Sequence, residues 1–108
     1  ATVAEKLVET HPQYPEARNT YGAILLNIGD LDSSEEHLMI AELMMWKDAN
    51  VACNLGSIGW LRAQESDADE AIIRGGHEMA RTWWTKCLER DPGMDYATRG
   101  LEALSNLK

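Results

Sequence analysis

Phenylalanine is missing from this 108-residue chain, and four Trp, three Tyr and five Met must supply the bulky packing in its place. Positive charge is also scarce. Ten Lys and Arg stand against 18 Asp and Glu, for a formal net charge of −8. That balance argues against binding to nucleic acid, where Lys and Arg must replace counterions on the phosphates. It equally disfavours an acidic membrane surface. A neutral or basic protein or peptide is the partner that fits. There are only two cysteines, Cys53 and Cys87, and their spacing suits neither a redox pair nor a zinc knuckle. They are expected to be reduced, semi-buried small hydrophobes, with a disulfide or a reactive thiol as the alternative. No apolar run reaches the roughly 18 residues of a membrane span, and Ala1-Thr2-Val3 has no signal-peptide layout. A cytoplasmic protein is expected, and the missing initiator Met fits a mature or excised piece.

What the chain does hold is helical periodicity. The segment up to His11 reads as the end of a helix closed by Pro12, with Val3, Ala4, Leu7 and Val8 on one face. Pro15 can start a helix that carries Ala17, Tyr21, Ile24, Leu25 and Ile28 and ends at Gly29-Asp30. Asp32 with Glu35 suggests a capping box for a second helix reaching about Lys47. A third is expected from Ala49 to about Gln64. Ser66-Asp67-Ala68-Asp69-Glu70 then supplies a cap and an acidic first turn for a fourth helix that runs from there to about Arg90. Gly75-Gly76 inside it predicts a bend or break. Pro92-Gly93 punctuates, and Tyr96 to Leu107 reads as the last helix.

Tyr21-Gly22 and Leu55-Gly56 lie 34 residues apart in the same helical context. Glycine after a bulky residue within a helix lowers propensity, which close approach of a neighbouring helix would explain. The first complete unit offers Arg18, Tyr21-Gly22 and Leu25, then Ser34, Leu38 and Ala41. The second offers Ala52, Leu55-Gly56 and Gly59, then Ala80, Trp84, Cys87 and Pro92. In this spacing the chain resembles the tetratricopeptide repeat family. Arg18 and Ala52 depart from the family's aromatic position, Gly59 from its Tyr, and about 12 extra residues lengthen the second unit over roughly 62–77. The resemblance implies an all-α fold, an antiparallel helix-turn-helix repeat array forming an α-α superhelix. Residues 1–12 would end a partial repeat, 15–48 and 49–92 would be full repeats, and 95–108 a capping helix within a single domain.

Residues that could carry chemistry do not assemble into a motif. His11, His37 and His77 lack metal-ligand spacing, and His77-Glu78 has no second His to make a zinc-protease helix. The acidic runs at 30–32 and 67–70 lack the Gly of a calcium loop and suit helix starts instead. Neither Gly75-Gly76 nor Gly56-Ser57-Ile58-Gly59 follows a strand or brings a Lys, as a phosphate loop would require. No Ser, Thr or Cys has the context of an activated nucleophile. No metal, cofactor or catalytic residue is therefore expected.

The resemblance further implies a concave groove lined by the first helix of each unit. Asn19, Ala23, Leu26 and Asn27 would stand beside Asn50, Cys53, Asn54, Ser57, Trp60 and Leu61, with Tyr96, Arg99 and Ala103 at the far end. An amide-rich wall can both donate to and accept from a peptide backbone. Non-catalytic protein binding follows, as an adaptor, scaffold or chaperone-like module, with Trp60 as a possible aromatic anchor. Met39, Ile40, Leu43 and Trp46 would form a second surface, an apolar patch suited to self-association into a homo-oligomer. A regulatory segment cut from a larger enzyme, or a small enzyme using an unrecognised site, is the remaining alternative.

Overall fold

Residues 14–44 and 47–107 are described by a computed structural model, in which five helices follow one another: α1 (Pro15–Asn27), α2 (Leu31–Leu43), α3 (Ala49–Ala63), α4 (Glu70–Arg90) and α5 (Asp95–Ser105). Among the described residues there is no strand, so the fold is all-α. None of these helices is long and apolar enough to cross a membrane. The expected leading partial repeat over residues 1–12 lies outside the described residues, as does Trp46. The chain divides after Lys47 into two compact units.

In the first unit, Pro15 takes the first turn of α1, where a missing N–H leaves nothing unpaired. The helix ends because Gly29 adopts φ +88°, a region that suits glycine. The Asp30 amide then donates to the Leu25 carbonyl at 2.9 Å and the Gly29 amide to Leu26 at 3.1 Å. This pair of bonds is a Schellman closure. Asp30, rather than the expected Asp32, caps α2 by accepting from the Ser33 amide. The closure places Asp30 one residue ahead of the helix, so the cap falls there. Likewise α2 stops at Leu43, short of Lys47.

The two helices of this unit run antiparallel and touch at Gly22. A Cβ there would lie 2.7 Å from the Leu38 side chain. Ser34, fully buried, donates its hydroxyl to the Gly22 carbonyl at 2.6 Å. The small residue thus serves contact, since a side chain would push α2 away. Leu25, Leu38 and Ala41 are buried around this contact. Ile28, the last of the residues recurring at helical spacing, is 72% exposed because it caps α1 where the chain turns at Gly29.

The second unit is held by α3 against α4. Nine residues of α3 are buried, from Ala49 to Gly59. The antiparallel register can be followed turn by turn: Cys53 meets Cys87, Gly56 meets Trp84, Gly59 meets Ala80 and Gly76, and Ala63 meets Gly76. Cβ atoms at Gly59 and Gly76 would each come within 2.5 Å of the other residue's carbonyl oxygen. Helix α4 continues unbroken through Gly75-Gly76. The predicted break is absent because Gly76 is used for helix contact, while a Cβ at Gly75 would meet nothing.

Cys53 and Cys87 form a disulfide with Cα atoms 5.3 Å apart. This corrects the expectation of two reduced thiols. Spacing along the sequence carries no information about register between two helices, and it is the register that brings these positions together. Helix α5 then packs on α4 through buried Ala97 and Leu104, with Gly100 against the Trp84 ring.

Candidate functional site: an aromatic pocket in the second unit

Trp84 organises the surroundings of the site. It is 2% exposed, wedged between the two glycines Gly56 and Gly100. Its indole N–H donates to the Cys53 carbonyl at 3.2 Å, beside the disulfide. The same carbonyl accepts the Ser57 hydroxyl at 3.1 Å. With that hydrogen spent, the Ser57 oxygen is the acceptor for the Tyr96 hydroxyl at 2.7 Å. A relay chain of three hydrogen bonds therefore turns the polar ends of Trp84 and Tyr96 inward and leaves Tyr96, 50% exposed, with ring surface facing out. The rings stack in sequence, Trp60 to Trp84 at 5.9 Å and Trp84 to Tyr96 at 5.9 Å edge-on, distances at which aromatic pairs attract.

Above these rings lies an open pocket of about 330 Å³, lined by Trp60, Trp84, Tyr96, Arg99, Gly100 and Ala103. Its size is near the lower end for ligand sites. Four of the residues assigned to a groove from the sequence, Trp60, Tyr96, Arg99 and Ala103, are thus brought together from α3 and α5. Trp84 and Gly100 were not anticipated there. Arg99 pairs with Asp95 one turn earlier at 2.9 Å, an exposed pair that salt and solvent weaken.

The other expected groove residues have different surroundings. Ser57 and Cys53 are buried, the first in the relay and the second in the disulfide. Asn50 is exposed at the start of α3, where its amide N–H caps onto Asp48. Asn54 is half-buried and already engaged within the chain, as is Asn19 in the first unit. Ala23 and Leu26 are half-buried, Asn27 is exposed, and Leu61 is 38% exposed. Of the apolar patch on α2, Met39 and Ile40 are half-buried and Leu43 is 77% exposed.

A second depression of about 490 Å³ is lined by Glu70, Ile73, Arg74, His77, Glu78, Arg81, Leu104 and Leu107. It holds charges of both signs and no Ser, Thr or Cys. Among the described residues, no three His, Cys, Asp or Glu gather as a metal site.

His37 in the first unit has a structural task. Arg18 can only donate, so the 2.8 Å contact from its Nη1 makes His37 Nδ1 the acceptor and the imidazole neutral. The ring also meets Tyr21 edge-on at 4.7 Å. Burial, and then the Arg18 charge, hold its pKa below the ordinary 6.5, against a smaller opposing pull from Glu36. Because the unfolded chain takes up this proton more readily, the contribution is complete above pH 6.5 and is lost as pH falls through the lower folded value. Urea midpoints between pH 7.5 and 5 should therefore decline more in wild type than in His37→Gln. Parallel slopes would remove His37 as the cause.

No protein-family model matches the chain, and no curated protein matches it either.

Proposed function

We propose that the protein is a non-catalytic binding module of tetratricopeptide-repeat type that holds a peptide segment at the pocket framed by Trp60, Tyr96 and Arg99. The observation that carries this reading is the convergence of those residues. They come from two helices, α3 and α5, present partly exposed rings, and include Tyr96, which is tied by the relay to the Ser57 hydroxyl beneath. Rigid, half-exposed aromatic side chains with one Arg are the composition of a binding hot spot. The repeat reading is supported by Gly22 and Gly56, which both act as contact points for the following helix. A binding role rather than catalysis is favoured by the chemistry of the second depression, where His77 and Glu78 have no nucleophile beside them. Net charge of −8 favours neutral or basic segments. The disulfide moves the proposed compartment from the cytoplasm to an oxidising one, where such bonds persist.

The test is selection from a displayed library of neutral peptides. Wild type should enrich binders, and Trp60→Ala should lose at least tenfold in affinity, about 1.4 kcal/mol, with unchanged helicity. Equal capture by a folded Trp60→Ala protein would take the pocket out of the function.

A further inference from the structure

The residues lining the aromatic pocket differ in what their hydrogen bonds leave free, and the Tyr96 oxygen keeps acceptor capacity. Trp84 has given its only hydrogen to the Cys53 carbonyl, and Tyr96 has given its own to Ser57. Among the described residues the Trp60 indole N–H has no hydrogen-bond acceptor. Since no buried side-chain nitrogen or oxygen among the described residues lacks a partner, this N–H is reached by solvent. Arg99 adds a guanidinium, of which Asp95 engages the Nε side. Guanidinium and indole can donate but not accept. No carboxylate lines the pocket, and the one paired with Arg99, Asp95, is exposed to solvent.

Two classes of occupant are disfavoured by this arrangement. A cation would find aromatic faces, but also the like charge of Arg99 and no acid in the wall to offset its lost hydration. A plain aliphatic group would leave the Trp60 and Arg99 donors without partners if it displaced their water. What complements the wall is a flat apolar group attached to hydrogen-bond acceptors. In a neutral peptide that is an aromatic side chain flanked by its own backbone carbonyls. The volume of about 330 Å³ suits one such side chain.

We infer that the pocket is the receptor for a single aromatic side chain of an uncharged peptide, with the adjoining backbone carbonyls accepting from Arg99 and Trp60. This rests on the peptide-binding reading above and specifies its ligand. The ring would lie against Trp60 and Trp84, and the acidic character of the whole chain would keep anionic peptides at a disadvantage.

The probes are three acetylated, amidated heptapeptides of Gly, Ser and Asn that differ only at the central residue, which is Phe, Ala or Lys. Binding is followed by the shift of the Trp60 indole N–H resonance, identified by its loss in Trp60→Phe. The Phe peptide should bind at least tenfold more tightly than the Ala and Lys peptides, and Arg99→Ala should weaken it at least threefold. If the Ala or Lys peptide bound as well as the Phe peptide, the aromatic assignment would be overturned while peptide binding stood. An undiminished affinity in Arg99→Ala would overturn the carbonyl contact. If none of the three bound, and library selection also gave nothing, peptide binding itself would fall.

Discussion

Opening the Cys53–Cys87 bond should lower the stability of the second unit by about 4 kcal/mol. The bond closes a loop across a sequence separation of 34, and the chain entropy it removes from the unfolded state grows with loop length to about that value. Native strain would reduce the figure and added packing would raise it. Both cysteines are buried, with Cys53 4% exposed and Cys87 at 0%, so a reductant reaches them only when the helices part. Reduction should therefore be slow in native buffer and fast in urea. The measurement is a pair of urea titrations on one preparation, oxidised and reduced, alongside the Cys53→Ala, Cys87→Ala double variant. A difference under about 1 kcal/mol between the oxidised and reduced forms would show that the helix pair holds its register without the bond. Such a result would also weaken the case for an oxidising compartment.

Adjacent glycines in α4 should respond to alanine in opposite directions. At Gly76 a methyl group would lie 2.5 Å from the Gly59 carbonyl oxygen and 3.0 Å from the Ala63 Cβ. These are a backbone atom and a short side chain, neither able to swing aside, so α3 and α4 would have to separate along their contact. The penalty should reach about 3 kcal/mol, the upper part of the usual range for overpacking. At Gly75 the same methyl would meet nothing within 4 Å. There the reduced freedom of the unfolded chain and the better helix propensity should stabilise by about 0.5–1 kcal/mol. Chemical denaturation of Gly75→Ala and Gly76→Ala decides the matter. If both variants lost stability equally, the close crossing at Gly59 and Gly76 would not be what holds this pair.

How much of this could be read in advance depended on whether the signal was local. Pro15, Gly29 and the acidic stretch at 66–70 announced helix ends because capping and backbone conformation involve neighbours in sequence. Gly22 and Gly56 could be read as contact points because a glycine inside a periodic helix contradicts propensity and needs a cause. The cysteines could not be read, since pairing across α3 and α4 requires the register, and register is a tertiary quantity. The expectation of Asp32 rather than Asp30 as cap failed for a related reason, because the cap depended on how the preceding helix closed. At the pocket, Trp60, Tyr96, Arg99 and Ala103 came from the family spacing. Trp84 was placed only in the second unit's repeat pattern, and periodicity says nothing about a buried ring that also lines a cavity. The Asn residues were overweighted because an amide in sequence gives no sign of whether it is already engaged, as Asn19 and Asn54 are.

The turn-by-turn matching of α3 with α4 has a mechanical consequence for the pocket. Sliding one helix past the other by a turn would carry a side chain into the space left at Gly56, Gly59 or Gly76, and would pull on a covalent link. Shear between these two is therefore blocked, and Trp60 and Trp84 behave as fixed jaws. The third side of the pocket belongs to α5, which follows the Pro92-Gly93 corner and touches the fixed pair through small residues, Ala97 and Gly100. Any widening to admit a guest must come from that helix swinging, with the Tyr96 to Ser57 bond as its latch.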